Sequence, residues 1–272
     1  MSPKAHEVVS ALTDLNRYPD GNASAFKEKV ASSFDVLPTM VTVGNGSNDI
    51  IEFIAKCFLS SGDTAIYSKH GFAIYPLAIK ASGAKAIKVE AKNWGHDLEA
   101  MADAIQENTK VIFIASPNNP TGTALTLEEI EKFLTKIPDN IVVLIDQAYF
   151  EYVENEEFKV PFKLVEKFKN LIISRSFSKA HGLAAFRLGF SISSEEIADY
   201  LNRVRQPFNA NSLALAAGIE AIEDEEHIFK SVKLNKLGLE MIKAKFDDLG
   251  FEYINSHGNF ISFDSKNDSD KS

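Results

Sequence analysis

Apolar positions along this chain follow two periods, and the change from one to the other divides it. Near the N-terminal end Val8, Ala11, Leu12 and Leu15, then Phe26, Val30 and Phe34, recur at helical spacing and predict helices over 4–17 and 24–34. Between them Arg17-Tyr-Pro-Asp-Gly-Asn22 reads as a turn. From residue 40 onward, short β-rich runs alternate with longer helical segments. The predicted strands are 40–43, 65–68, 86–89, 111–115, 141–145, 171–174 and 188–191, and the helices between them lie near 48–59, 73–82, 97–107, 126–136 and 161–168. Most of the strands are continuously apolar, as expected when helices cover both faces. The alternation predicts a three-layer α/β/α fold around a mostly parallel seven-stranded sheet.

Residues 195–252 read as nearly all helix, with Asp224-Glu-Glu-His227 opening a new one, and 251–254 and 259–263 read as the first strands of a smaller α+β domain. The expected division is 1–35 for an N-terminal segment serving the small domain and a dimer interface, 36–195 for a large domain, and 196–264 for a helical connection with part of the small domain. The polar residues 265–272 are expected to be disordered.

Composition narrows the class. With 45% hydrophobic and 25% charged residues the chain reads as an ordinary globular protein, and a net charge of −9 without a basic face excludes a nucleic-acid partner. No apolar run approaches the ~20 residues of a membrane span, and Met1-Ser-Pro-Lys-Ala-His lacks a signal-peptide core, so a cytoplasmic protein with no membrane partner is expected. The one cysteine, Cys57, sits among Ile54, Phe58 and Leu59 and reads as a small core residue. No metal site is expected.

Ligands of open parallel sheets collect beyond the carboxyl ends of the strands, so the segments that follow the strands carry the candidate chemistry. Leu171-Ile-Ile leads into Ser174-Arg-Ser-Phe-Ser-Lys179, with Arg187 eight residues on, which places a lysine among hydroxyls and a cation. A lysine so placed suits a Schiff base with a carbonyl cofactor whose phosphate its neighbours bind. Gly44-Asn-Gly-Ser-Asn-Asp49 opens a helix whose N–H groups suit an anion, or else Ser47 or Asn48 simply caps that helix. His70-Gly-Phe72 offers a ring-stacking face, and Ser116-Pro-Asn-Asn-Pro-Thr-Gly122 a rigid loop presenting Asn119. Asp146, ending an apolar run, needs a cationic partner such as a protonated ring nitrogen. Each loop alone is also an ordinary turn, but together they match pyridoxal 5′-phosphate part by part.

The strings Ser116-Pro-Asn-Asn-Pro-Thr-Gly122, Asp146-Gln-Ala-Tyr149, Ser176-Phe-Ser-Lys179 and Arg187-Leu-Gly-Phe190 resemble those of fold-type I pyridoxal-phosphate-dependent aminotransferases. Arg17-Tyr-Pro-Asp20, the 44–49 loop and Arg205-Gln-Pro-Phe-Asn-Ala-Asn-Ser-Leu-Ala214 look more narrowly like histidinol-phosphate aminotransferases. The resemblance implies that Lys179 is the Schiff-base lysine and proton carrier, that Asp146 pairs with the pyridine nitrogen, that Asn119 and Tyr149 bind the ring hydroxyl, and that Phe72 stacks on the ring. It implies phosphate contacts from Gly46, Ser47, Asn48, Ser176, Ser178 and Arg187, and a homodimer in which Tyr18 reaches the neighbour's cofactor. His181 stands where relatives often have tyrosine and reads as local packing.

The implied reaction takes L-histidinol phosphate as amino donor and 2-oxoglutarate as 2-oxo acid. Relatives extend beyond this chain at both ends and carry a substrate-gripping arginine in the C-terminal part, so a chain truncated at both ends is expected. A cofactor-binding relative without turnover and an amino-acid-phosphate decarboxylase stay open as alternatives.

Overall fold

The sheet is built from seven strands in the order β1-β7-β6-β5-β4-β2-β3. In the computed structural model, which describes residues 1–265, the elements are α1 (Pro3–Ala11), α2 (Ser24–Phe34), β1 (Val41–Gly44), α3 (Ser47–Phe58), β2 (Thr64–Ser68), α4 (Ile74–Ala81), β3 (Lys85–Val89), α5 (Leu98–Asp103) and β4 (Thr109–Ala115). There follow α6 (Leu127–Leu134), β5 (Val142–Asp146), α7 (Leu164–Lys167), β6 (Leu171–Ser176), β7 (Gly189–Ser193), α8 (Glu195–Val204), α9 (Ser212–Ala221) and α10 (Glu225–Leu249). The tail expected to be disordered lies, from 266 on, outside the described residues.

Neighbouring strands from β3 to β6 pair in parallel, whereas β7 runs antiparallel to both β6 and β1. One row of the register joins Gly44 of β1 to Gly189 of β7 and Gly189 to Ser176 of β6. The carboxyl ends of β1 and β6 therefore meet at the same edge.

The continuous apolar runs are explained by helices on both faces. Ile112 and Ile114 of β4 pack in one core with Ile130, Phe133 and Leu134 of α6, while Val111, Phe113 and Ala115 pack in the other with Ile50 and Ile54 of α3 and Ile79 of α4. Each side chain of this size stabilises the fold by roughly 1.5–3 kcal/mol when fully buried, so the sheet is a stiff frame for its loops. The edge strand β3 exposes Lys85 and Lys88, which discourage pairing with another edge.

Three expectations change. The first helix ends at Ala11, where Leu12 turns extended and two turns (Leu15 N–H to Thr13 O at 2.9 Å, Arg17 N–H to Asp14 O at 3.4 Å) replace helical bonding; Leu15, read as part of the apolar face, is exposed. The predicted strands at 251–254 and 259–263 reduce to an isolated antiparallel bridge between Tyr253 and Phe263. What gathers there is a ring cluster of Phe246, Phe251, Tyr253 and Phe263 rather than a ladder. Cys57 is half-buried against α8, its thiol donating to Tyr200 O at 3.3 Å, and burial pushes it up to about 11. Asp224 caps α10 as read, accepting from His227 N–H at 3.2 Å.

No helix among the described residues is long and apolar enough to cross a membrane.

Candidate active site

A cavity of about 500 Å³ opens at the carboxyl ends of β1, β4, β5 and β6. Lys179, Asp146, Asn119, Tyr149, Phe72, Ser47, Asn48, Ser176, Ser178 and Arg187 all line it. Gly46 joins them through Arg187, as described below. Tyr18 lies elsewhere: it is 80% exposed and stacks on Phe208 at 4.6 Å.

Lys179 follows β6 in an excursion closed by Phe177 N–H donating to Leu188 O at 3.0 Å. Buried Phe177, packed edge-on to Phe26, pins the start of this excursion, and Gly182 N–H donating to Lys179 O makes the turn. The half-buried lysine places its Nζ 5.1 Å from the centre of the Tyr149 ring. His181 points away, with Nδ1 3.2 Å from Ala221 O, Nε2 3.7 Å from Glu151 Oε1 and its ring against Phe177, which is the packing role read from the sequence.

Asp146 is the last residue of β5, and its sheet neighbours are Ala115 and Ser174. Its Oδ1 accepts from Ser174 Oγ at 3.1 Å and Ala148 N–H at 3.2 Å, and its Oδ2 faces Tyr75 Oη at 3.4 Å. Burial raises this carboxyl to about 6, against the lowering effect of those hydrogen bonds and of Lys179. The same pairing and burial hold Tyr75 well above an ordinary phenol. Neither Tyr75 nor Ser174 was singled out in the sequence. The register of β5 and β6 would have offered Ser174, whereas Tyr75 depends on how α4 packs over β4. Asn119 donates to Tyr149 Oη at 3.1 Å, so the amide and the phenol form one polar edge.

The other end of the cavity is shaped for an anion. Helix α3 begins at Ser47 with Gly46 as N-cap, at φ 79°, so a residue without a side chain stands where a capping group would sit. The alternative of Ser47 or Asn48 as the cap is not realised; Asn48 Nδ2 instead donates to Glu52 at 3.2 Å. Arg187 adopts a left-handed backbone at φ 58° and brings its guanidinium so close to Gly46 that a Cβ there would sit 2.5 Å from Nη2. Its Nη1 lies 3.4 Å from Ser178 Oγ. Gly189 is required for the same approach, since a Cβ on it would meet Ser47 N at 2.4 Å. An open helix N-terminus beside a guanidinium and a hydroxyl is an anion cradle.

The site therefore offers a nucleophilic amine, a buried carboxyl held near neutrality, an amide–phenol edge and an anion cradle. Those groups fit pyridoxal phosphate: the cradle for its phosphate, and Asp146 for a ring nitrogen whose positive charge would offset the burial of the carboxylate.

The chain is 49% identical over 264 residues to histidinol-phosphate aminotransferase 2 of Pseudomonas fluorescens, covering 97% of this chain and 71% of that protein. It is also 49% identical over 257 residues to histidinol-phosphate aminotransferase 1 of Mannheimia succiniciproducens, covering 94% and 70%. Its fold matches the crystal structure of histidinol-phosphate aminotransferase from Sinorhizobium meliloti in complex with pyridoxal-5′-phosphate with a TM-score of 0.94 at 24% identity, over 99% of this chain and 74% of that one. Aspartate aminotransferase from Thermus thermophilus shares the fold at a TM-score of 0.87 and 19% identity, over 97% and 74%. The family model for aminotransferase class I and II matches residues 3–272, and the chain belongs to that family.

Proposed function

We propose that this chain is a cytoplasmic aminotransferase that uses pyridoxal phosphate to convert L-histidinol phosphate and 2-oxoglutarate into imidazole-acetol phosphate and L-glutamate, a step of histidine biosynthesis. The observation that carries the reading is the cavity holding Lys179 with Asp146 and the Arg187 cradle, in a chain 49% identical to curated histidinol-phosphate aminotransferases. Bound there, the cofactor supplies an electrophilic carbonyl and a ring that withdraws electrons from the substrate α-carbon.

The protein's own groups do the rest. The Lys179 amine would be the group that holds the cofactor through its carbonyl, and it would carry the proton from and to the substrate α-carbon. Asp146 would hold the ring nitrogen protonated, Asn119 and Tyr149 would orient the ring hydroxyl, and Phe72 would cover the ring. Gly46, Ser47 and Asn48, with Ser176, Ser178 and Arg187, take the phosphate. In this reading 36–195 form the cofactor-binding domain, 196–264 contribute to a smaller one, and 1–35 serve the subunit interface while packing on the core through α2. The protein is a homodimer, and exposed Tyr18 on Phe208 reaches the partner's site; the solvent-facing stack of two rings supports this.

The test is a half-reaction with purified protein reconstituted with pyridoxal phosphate. L-histidinol phosphate should shift the visible absorbance of the bound cofactor, and 2-oxoglutarate should reverse it. No shift with any amino donor would identify a cofactor-binding protein without turnover. Carbon dioxide release independent of 2-oxo acid would identify a decarboxylase.

A further inference from the structure

We propose that Asn209 is a positioning residue for the phosphate cradle, holding the Asp49 carboxylate back from the open end of α3. The inference rests on the pyridoxal phosphate reading above and extends it to a residue outside the cavity.

Asp49 lies in the first turn of α3, beside the N–H groups that form the cradle, and lines the cavity. A carboxylate there competes with a bound phosphate for the positive helix end and repels it. Asp49 is held instead by two donors on one oxygen: Asn45 N–H at 2.8 Å and Asn209 Nδ2 at 3.1 Å.

Asn209 is fully committed to this task. Its Nδ2 also donates to Val43 O at 3.0 Å, at the end of β1 just before the loop. Its Oδ1 accepts from Arg205 Nη1 at 2.8 Å, and its backbone carbonyl accepts from Asn45 Nδ2 at 2.9 Å. These partners fix the orientation of the amide, since the guanidinium can only donate and the Val43 carbonyl can only accept. Arg205 is anchored in turn by Gly21 O at 2.8 Å and Asn202 Oδ1 at 3.3 Å. The preceding Phe208, a bulky residue at φ 60°, turns the chain so that Asn209 faces the loop. Asn209 thus ties both ends of the 44–49 loop, and its acid, to one charged support.

Two probes that differ only in the phosphate test this: pyridoxal phosphate and pyridoxal, each titrated into cofactor-stripped protein and followed by absorbance. For Asn209→Ala the dissociation constant of pyridoxal phosphate should rise at least about tenfold, the scale of one lost hydrogen bond to a charged group, while that of pyridoxal stays within about twofold. Asn209→Asp, which sets a second carboxylate against Asp49 and Val43 O, should be worse for the phosphorylated probe. If Asn209→Ala does not fold, Asp49→Ala tests the same point: by removing the competing carboxylate it should leave the affinity for pyridoxal phosphate at or above the wild-type level, and a loss confined to the phosphorylated probe overturns the inference. In the double variant Asp49→Ala should restore the affinity lost in Asn209→Ala, because the carboxylate that Asn209 holds back is gone.

In Asn209→Ala, equal losses for both probes, or no loss for pyridoxal phosphate, overturn the inference while the cofactor reading stands. Wild-type protein that binds neither probe overturns both.

Discussion

Replacing Asp146 by asparagine should make the cofactor-free protein more stable and the loaded enzyme much slower. Burial holds the Asp146 carboxyl at about 6 rather than 3.8. A gap of about two units corresponds to roughly 3 kcal/mol of unfavourable burial of the charged form. Asparagine removes that burden and keeps the hydrogen bonds from Ser174 Oγ and Ala148 N–H as neutral ones, whose support of the charged form the gap already contains. The gain is about 3 kcal/mol, or roughly 6–12 °C in melting temperature for a chain of this size. The gain depends on pH in a defined direction. The folded carboxyl keeps its proton up to about 6 while the unfolded one releases it near 3.8, so folding binds protons across this window and wild-type stability falls as pH rises through it. The advantage of Asp146→Asn should be complete above about pH 6 and small at pH 4. With the cofactor bound, the ring nitrogen would lose its buried anionic partner, which costs about 3–5 kcal/mol, or about 10²–10⁴-fold in turnover. Differential scanning fluorimetry of stripped protein at several pH values, with turnover of the reconstituted enzyme, reads both effects. A variant that melts lower than wild type at pH 8, or by an amount independent of pH, refutes the buried-carboxylate argument. Unchanged turnover refutes the pairing with the ring.

Three further substitutions probe other parts of the site. Lys179→Ala should leave no borohydride-fixable cofactor and reduce turnover by more than about 10³-fold; a reducible adduct at another lysine would move the nucleophile elsewhere. Gly189→Ala forces a Cβ to within 2.4 Å of Ser47 N and 2.6 Å of Gly46 C, backbone atoms that cannot rotate away. It should destabilise by about 1–3 kcal/mol and weaken cofactor binding, and an unchanged melting temperature contradicts the close approach. Tyr18→Phe keeps the ring stacked on Phe208 but removes the hydroxyl, so sedimentation should still show a dimer while pyridoxal phosphate binds about tenfold more weakly. Unchanged affinity would remove Tyr18 from the shared site.

The parts of this molecule that could be read from sequence are those governed by local rules. Unbroken apolar runs such as 141–145 mark strands covered on both faces, and residues that follow such runs are placed by topology at one end of the sheet. Lys179, Asp146 and Asn119 were legible for that reason. Tyr75 and Asn209 were not, because their significance depends on which distant backbone they meet: Asp146 at the end of β5 for one, Asp49 and Val43 for the other. The 251–263 segment misled because alternating aromatics suit a strand as well as they suit a ring cluster, and partners decide between the two. Its placement comes from outside that pattern, through His257 N–H donating to Gly122 O at 2.8 Å and Ser262 Oγ to Pro120 O at 2.5 Å.

The antiparallel insertion of β7 makes sheet registration a ruler for chemistry. Gly44, Gly189 and Ser176 share one row, so the open N-terminus of α3 and the Arg187 guanidinium beside it are set by the same ladder. A slip of one residue in β7 would carry Arg187 about 3.3 Å along the strand and turn inward side chains outward, so the cradle would fail together with the packing. The excursion between Phe177 and Leu188 is closed by its own hydrogen bond and enters that ladder only at its ends. Changes of length there are insulated from the ruler, whereas changes within Gly189–Ser193 are not.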